Sequence, residues 1–248
     1  MDATPNHQRT EPATSQRTRL FRFSTVEFLI ALVLFFVTAP FVEDLPRGNF
    51  IDGSLLTVVL VSGMLAVGRS RKLLTIAAIL AAPAICARWT HLFRPDLPQQ
   101  IFLIPGLVFM AFLIANLLYF ILRAKHVNAE VLCAGISAYL LLGTAWMCAY
   151  LLVSDFSPGA FVFTAGPDAD HVLSGFNAYY FSFITLTTVG FGDIVPVSHV
   201  ARMLAATEAT TGTLFMAVLI ARLVALYSTR PPNPPGDDSG PEATKKAD

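Results

Sequence analysis

The chain has 248 residues, of which 54% are hydrophobic and only 14% charged, too apolar a balance for an ordinary water-soluble domain. Basic and acidic residues cancel to a formal net charge of zero, so nothing points to nucleic acid as a partner. Several apolar stretches approach or exceed the roughly 17–25 residues that cross a bilayer, which makes the chain an integral membrane protein by composition. Cys86, Cys133 and Cys148 lie within or beside those stretches and read as small buried residues, with no disulfide or metal site implied.

In chain order, residues 1–23 are rich in Thr, Pro, Gln and Arg, carry no apolar periodicity and are expected to form a disordered tail. They do not read as a cleaved signal, because the apolar run behind them is too long and lacks a small-residue cleavage site. The first span is expected at 26–42, the second at 51–68 and the fourth, long and unambiguous, at 101–122. The third, at about 73–87, carries Pro83 and runs into Arg88, so its full crossing is left open. A fifth span is expected from about 129 to 153, followed by a polar, acidic, exposed segment with Asp155, Asp168 and Asp170. Ser174 is placed to cap a helix over 175–187 that is too short to cross. A last span covers about 198–227, and the Pro-rich residues 229–248 read as a second disordered tail.

The basic residues orient this arrangement. With the N-terminus in the cytoplasm and six crossings, thirteen of the seventeen lysines and arginines fall inside. Only Arg47, Arg88, Arg94 and Arg202 fall outside. Loss of the third crossing would put the basic clusters 69–72 and 123–125 on opposite sides, so charge favours six spans. Both termini are then cytoplasmic, and the expected location is the plasma (inner) membrane.

Between the short helix and the last span stands Thr187-Thr188-Val189-Gly190-Phe191-Gly192-Asp193. Two glycines in three positions weaken any helix or strand interior, so the run makes sense only where the backbone itself is functional. Alternate glycines let successive carbonyl oxygens turn toward one axis, where they and the Thr188 hydroxyl replace the water around a dehydrated potassium ion. The run resembles the potassium-channel signature, with Phe191 in place of its commoner tyrosine. From about residue 129 to 227 the chain resembles the tetrameric cation-channel superfamily, and its layout is similar to that of a prokaryotic-type six-transmembrane potassium channel.

The resemblance implies an all-α membrane protein. Six transmembrane helices, a re-entrant pore helix and a filter loop would assemble as a homotetramer in contact with membrane lipids. It divides the chain into tails at 1–23 and 229–248, a four-helix membrane domain at 24–125 and a pore domain at 126–228. Thr188, Val189, Gly190, Phe191 and Gly192 would form the potassium sites, through the carbonyls of residues 188–191 and the Thr188 hydroxyl. Thr187 and Asp193 would support the outer mouth, with a hydrogen bond from Tyr180 to Asp193 behind the filter. Tyr179, Tyr180 and Phe181 would either brace the filter or anchor the helix at the interface. Ile184 stands where some relatives carry a glutamate paired with the outer-mouth aspartate. Gly212 matches a hinge glycine of the inner helix, against which stands a plain packing role. Glu208 is an ionisable residue inside a span and therefore a functional candidate. It would either bias the cavity toward cations or hydrogen-bond behind the filter. Arg222 would snorkel toward the cytoplasmic surface.

The function expected is passive, potassium-selective conduction with no cofactor beyond the permeant ion. The alternative is a poorly selective monovalent cation channel. Span 101–122 has no Arg or Lys, so strong voltage gating through that helix is disfavoured. A transporter would show repeats or paired interrupted helices, and an intramembrane enzyme a catalytic constellation. Neither pattern is visible, and His171 and His199 read as loop histidines beside the pore.

Overall fold

The protein, seen in a computed structural model, is described at residues 14–42, 48–68, 71–94, 98, 100–164, 173 and 175–228. The described residues form seven helices and two short strands: α1 (Thr14–Val42), α2 (Gly48–Val67), α3 (Arg71–Phe93), α4 (Gln100–Arg123), α5 (Ala129–Phe156), β1 (Phe161–Phe163), α6 (Gly175–Leu186), β2 (Ile194–Pro196) and α7 (His199–Ser228). The expected cap at Ser174, the acidic residues Asp168 and Asp170, His171, and residues 1–13 and 229–248 lie outside the described residues.

Four helices contain stretches long and apolar enough to cross a membrane: Arg71–Thr90, Leu103–Arg123, Ala129–Phe156 and His199–Leu226. The apolar parts of α1 and α2, Thr25–Thr38 and Gly53–Val67, are shorter among the described residues. The third segment is thus firmer than its sequence suggests. α3 continues through Pro83, although the missing N–H deprives the Ile79 carbonyl of its helical partner. α1 corrects the expected tail, because residues 14–23 are helical.

α1–α4 form a bundle of sequential neighbours, α1 on α2, α2 on α3 and α3 on α4. Its centre is apolar, with Phe28, Leu32, Ala77, Ala81, Phe109 and Leu113 buried together. A Cβ added at Gly63 would sit 2.7 Å from Leu113, so the close approach of α2 to α1 and α4 depends on that glycine. The Trp89 indole N–H donates to the Thr57 hydroxyl at 3.1 Å and ties α3 to α2.

α5 leaves this bundle after Asn128, whose side-chain oxygen accepts the Val131 N–H at 3.0 Å and caps the helix. One side of α5 packs on α4 and α1, the other on α6 and α7. Beyond α5, β1 pairs antiparallel with β2, setting Phe161 opposite Pro196 and Phe163 opposite Ile194. Ser198 then starts α7 by accepting the Ala201 N–H at 3.1 Å. Neither strand was expected, and together they join the outer end of α5 to the start of α7.

Candidate functional site

α6 has 12 residues, which at 1.5 Å each reach about 18 Å and cannot cross a bilayer. The helix enters the protein and stops, and the chain reverses at once. Thr187 N–H bonds Phe183 O at 3.0 Å, Thr188 N–H bonds Thr185 O at 2.9 Å, and both Val189 and Gly190 N–H reach Ile184 O, at 2.8 and 3.1 Å. All four N–H groups therefore point back at the end of α6. No peptide here is cis, and in a trans peptide the carbonyl points opposite to the N–H of the same unit. The carbonyls of Thr187, Thr188 and Val189 are accordingly turned away from α6, toward the open side.

The backbone conformations fit that reading. Thr188, Gly190 and Gly192 have φ of 60°, 52° and 79°, so left-handed residues alternate along the run. Alternation of hand turns successive peptide planes the same way. Two of the three positions are glycine, which takes this conformation freely. Thr188 is β-branched and does so at a cost of about 1–2 kcal/mol. Among the described residues nothing lies within 4 Å of a Cβ built on Gly190 or Gly192. Val189 and Phe191 are 55% and 72% exposed.

Three sets of bonds hold the outer end. The Tyr180 hydroxyl donates to Asp193 Oδ2 at 2.6 Å, and Asp193 Oδ1 accepts the Ile194 N–H at 3.0 Å. The hydrogen bond expected between Tyr180 and Asp193 is therefore present. The carboxylate, by holding the phenolic proton, pushes the Tyr180 pKa up to about 12. Just after β1, the Thr164 N–H bonds Asp193 O at 2.8 Å and its hydroxyl donates to Gly192 O at 2.6 Å. Gly192, grouped by its sequence with the oxygen-bearing positions, thus has its carbonyl engaged by Thr164. Its contribution here is the left-handed turn.

Consecutive helical residues point about 100° apart, and Tyr179, Tyr180 and Phe181 accordingly go to three places. Tyr180 meets Asp193. Phe181 lies edge-on to Tyr150 and Phe161, with ring centroids 4.9 and 5.4 Å away. Tyr179 is buried against Phe36 of α1 at 4.4 Å and Phe183 at 4.8 Å. All three make contacts within the protein that brace α6.

Glu208 is fully buried, behind α6 and away from the exposed loop face. Its Oε2 accepts from the Tyr150 hydroxyl of α5, and its Oε1 lies 2.5 Å from the Ser182 hydroxyl of α6. Ser182 is also 2.8 Å from the Gly143 carbonyl of α5. One carboxyl therefore joins the three helices around the loop. Of the two roles open from the sequence, the structure places Glu208 in the one behind the loop. Tyr150, Ser182 and Gly143 were not singled out in the sequence; hydroxyls inside apolar helices were the available signal.

Gly212 sits against the end of α6, where an added Cβ would collide with the Leu186 carbonyl oxygen and lie 2.9 Å from Leu186 Cδ1. This is a packing requirement, whatever bending the glycine also permits. The hydroxyls of Thr210, Thr211 and Thr213 return to carbonyls four residues back at 2.8, 2.7 and 2.9 Å. Near the other end of α7, Arg222 does more than snorkel, donating to the carbonyls of Leu122 and Ala124, both at 2.8 Å. The cation thereby sits on the partly negative end of α4.

Residues 149–229 match a protein family described as an ion channel. Among curated proteins, the chain is 42% identical over 48 residues to two-pore potassium channel 4 of Arabidopsis thaliana, covering 19% of this chain and 17% of that one. It is 34% identical over 88 residues to two-pore potassium channel 1 of the same plant, covering 35% and 20%. It is 34% identical over 85 residues to two pore potassium channel b of Oryza sativa subsp. japonica, covering 34% and 21%. The chain spans about a fifth of the length of these relatives. The matched family is one of ion channels and not of enzymes. Apolar helices of spanning length and a channel-type segment at 149–229 make the chain an integral multi-pass membrane protein.

Proposed function

We propose that four copies of this chain surround a common axis and conduct potassium selectively and passively across the membrane. The observation that carries this reading is the backbone of residues 187–192. Thr187, Thr188, Val189 and Gly190 spend their N–H groups on α6, left-handed residues alternate at Thr188, Gly190 and Gly192, and the carbonyls of Thr187, Thr188 and Val189 face away from α6. A row of carbonyl oxygens held open in this way offers a dehydrated cation the ligands it loses from water. One chain supplies one wall, and closing the oxygen cage takes the other three. The oxygens assigned to potassium are the carbonyls of Thr188, Val189, Gly190 and Phe191 and the Thr188 hydroxyl. The similarity of the matched segment to potassium channels supports the choice of ion.

α6 aims its C-terminal, partly negative end at the centre of the membrane, where it favours a cation waiting to enter the loop. α1–α4 complete six crossings, with both termini on the cytoplasmic side. α4 carries no Lys or Arg before Arg123, so the channel opens without strong dependence on voltage. The deciding experiment places purified protein in a planar bilayer with potassium on one side and sodium on the other. A reversal potential close to the potassium equilibrium value is expected at all voltages tested. Current that reverses near zero would replace this reading with a poorly selective cation channel.

A further inference from the structure

A cavity of about 740 Å³ opens at one end of the α1–α4 bundle, among the end of α2, the start of α3 and the last turns of α4. Its volume falls in the range of ligand sites, roughly 300–1,000 Å³. The walls are largely apolar, with Val67, Leu73, Leu117 and Phe120 among them. The charged residue of the lining is Arg123, whose guanidinium lies 4.7 Å from the centre of the Tyr119 ring. Arg71 and Lys72 stand just before Leu73 at the start of α3, and Lys125 follows two residues after Arg123, so further cations lie close in sequence to the lining. Among the described residues no carboxylate pairs with Arg123; the acidic residues nearest in sequence to the lining, Glu27 and Glu130, form no ion pair with it. The end of α4 would repel an anion, but Arg222 already occupies its Leu122 and Ala124 carbonyls.

We infer that this cavity holds one anionic glycerophospholipid from the adjoining leaflet, with its phosphate at Arg123 and an acyl chain along Val67, Leu117 and Phe120. The chemistry of both parts is needed. A free phosphate would leave the apolar walls uncovered, while a neutral apolar molecule would leave the Arg123 guanidinium without an anion. A zwitterionic headgroup would bring a further cation beside Arg123. An anionic headgroup matches that charge, and guanidinium binds phosphate through paired hydrogen bonds.

The test uses the full chain, stripped of bound lipid in detergent and titrated with phosphatidylglycerol or phosphatidylcholine, with bound lipid counted by native mass spectrometry. One phosphatidylglycerol per chain should be retained with a preference of about tenfold over phosphatidylcholine, as expected for a headgroup read by a few cations. Arg123→Gln should bring phosphatidylglycerol down to the phosphatidylcholine level, and Arg123→Lys should retain most of the preference. Ala115→Trp narrows the cavity without changing charge and should lower retention of the lipid. Equal retention of the two lipids by the unaltered protein, or unchanged retention by both Arg123→Gln and Ala115→Trp, would overturn the assignment. Displacement of phosphatidylglycerol by millimolar inorganic phosphate would also overturn it, in favour of a simple anion site. The readout is independent of conduction, so its failure leaves the proposed channel activity untouched, and the reverse holds as well.

Discussion

Replacing Glu208 by glutamine and by alanine separates a buried hydrogen-bonding role from a role as a charge in the ion path. Glutamine keeps the length of the side chain, and its amide has an oxygen to accept and an NH₂ to donate. The oxygen can take the Tyr150 proton, the NH₂ can donate to Ser182, and Ser182 can pass its own proton to the Gly143 carbonyl 2.8 Å away. Every contact of the three-helix junction then survives, so Glu208→Gln should retain assembly, thermal stability and most of the current. Alanine leaves the Tyr150 hydroxyl without its acceptor, at a cost of about 1–3 kcal/mol, while Ser182 keeps the Gly143 carbonyl but loses its link to α7. It also leaves a void where a fully buried side chain stood, and the combined destabilisation should be roughly 3–6 kcal/mol. The assay is thermal aggregation of detergent-solubilised oligomer alongside potassium flux from liposomes. If glutamine lowers stability and flux as far as alanine does, the neutral-network reasoning is wrong and a charge at residue 208 is required. If alanine changes neither, the junction does not hold the loop.

Gly190→Ala should abolish potassium flux while leaving membrane insertion intact, because alanine at φ 52° is strained and its methyl projects on the open side of the loop; flux equal to that of the unaltered protein would refute the site. Gly212→Ala should lower the thermal transition of the detergent-solubilised protein by the equivalent of about 1–3 kcal/mol, since the methyl must displace the Leu186 carbonyl. Unchanged stability with altered opening would make the glycine a hinge alone. Tyr180→Phe should weaken potassium selectivity by removing the bond to Asp193, whereas raising the pH should not mimic it below about 12. The raised phenol pKa means the proton, and the stability it confers, is present below the ordinary value near 10 and lost only as pH rises through about 12; loss of selectivity at pH 10 would contradict this.

The loop was legible because its signal is chemical and local. Glycines at alternate positions, a preceding threonine pair and a following aspartate constrain the backbone wherever the chain goes. Although the caps Asn128 and Ser198 were not singled out, the starts of α5 and α7 were legible from where the apolar runs begin, at about 129 and 198. The side of α7 on which Glu208 lies was not, since it depends on Tyr150, 58 residues away, and Ser182, 26 residues away. Nor were β1 and β2 legible: three residues each are too few for an alternating pattern to emerge. The early start of α1 was missed because Thr, Gln and Arg before an apolar run were taken for tail composition. Arginine and glutamine are good helix formers, and an established helix extends through them readily.

The loop backbone does not support itself, and the positions of its restraints explain how one face stays open. Thr188 carries left-handed strain of about 1–2 kcal/mol, and a chain relaxes such strain unless several independent contacts forbid it. Those contacts come from behind and from the outer end. The last turn of α6 binds four loop N–H groups. Thr164, which follows β1, holds Gly192 and Asp193, and Tyr180 holds the Asp193 carboxylate. α6 is itself fixed by Glu208 through Ser182, by the close approach of Gly212 and by Phe36 wedged against Tyr179 and Phe183. None of these restraints reaches across the carbonyl face. A site whose ligands must exchange water for an ion and release it again needs that arrangement, because a partner on the open face would compete with the ion for the same oxygens. The contact of Phe36 has a further consequence. It makes the first helix part of the wall behind the loop, through contacts that do not involve α7.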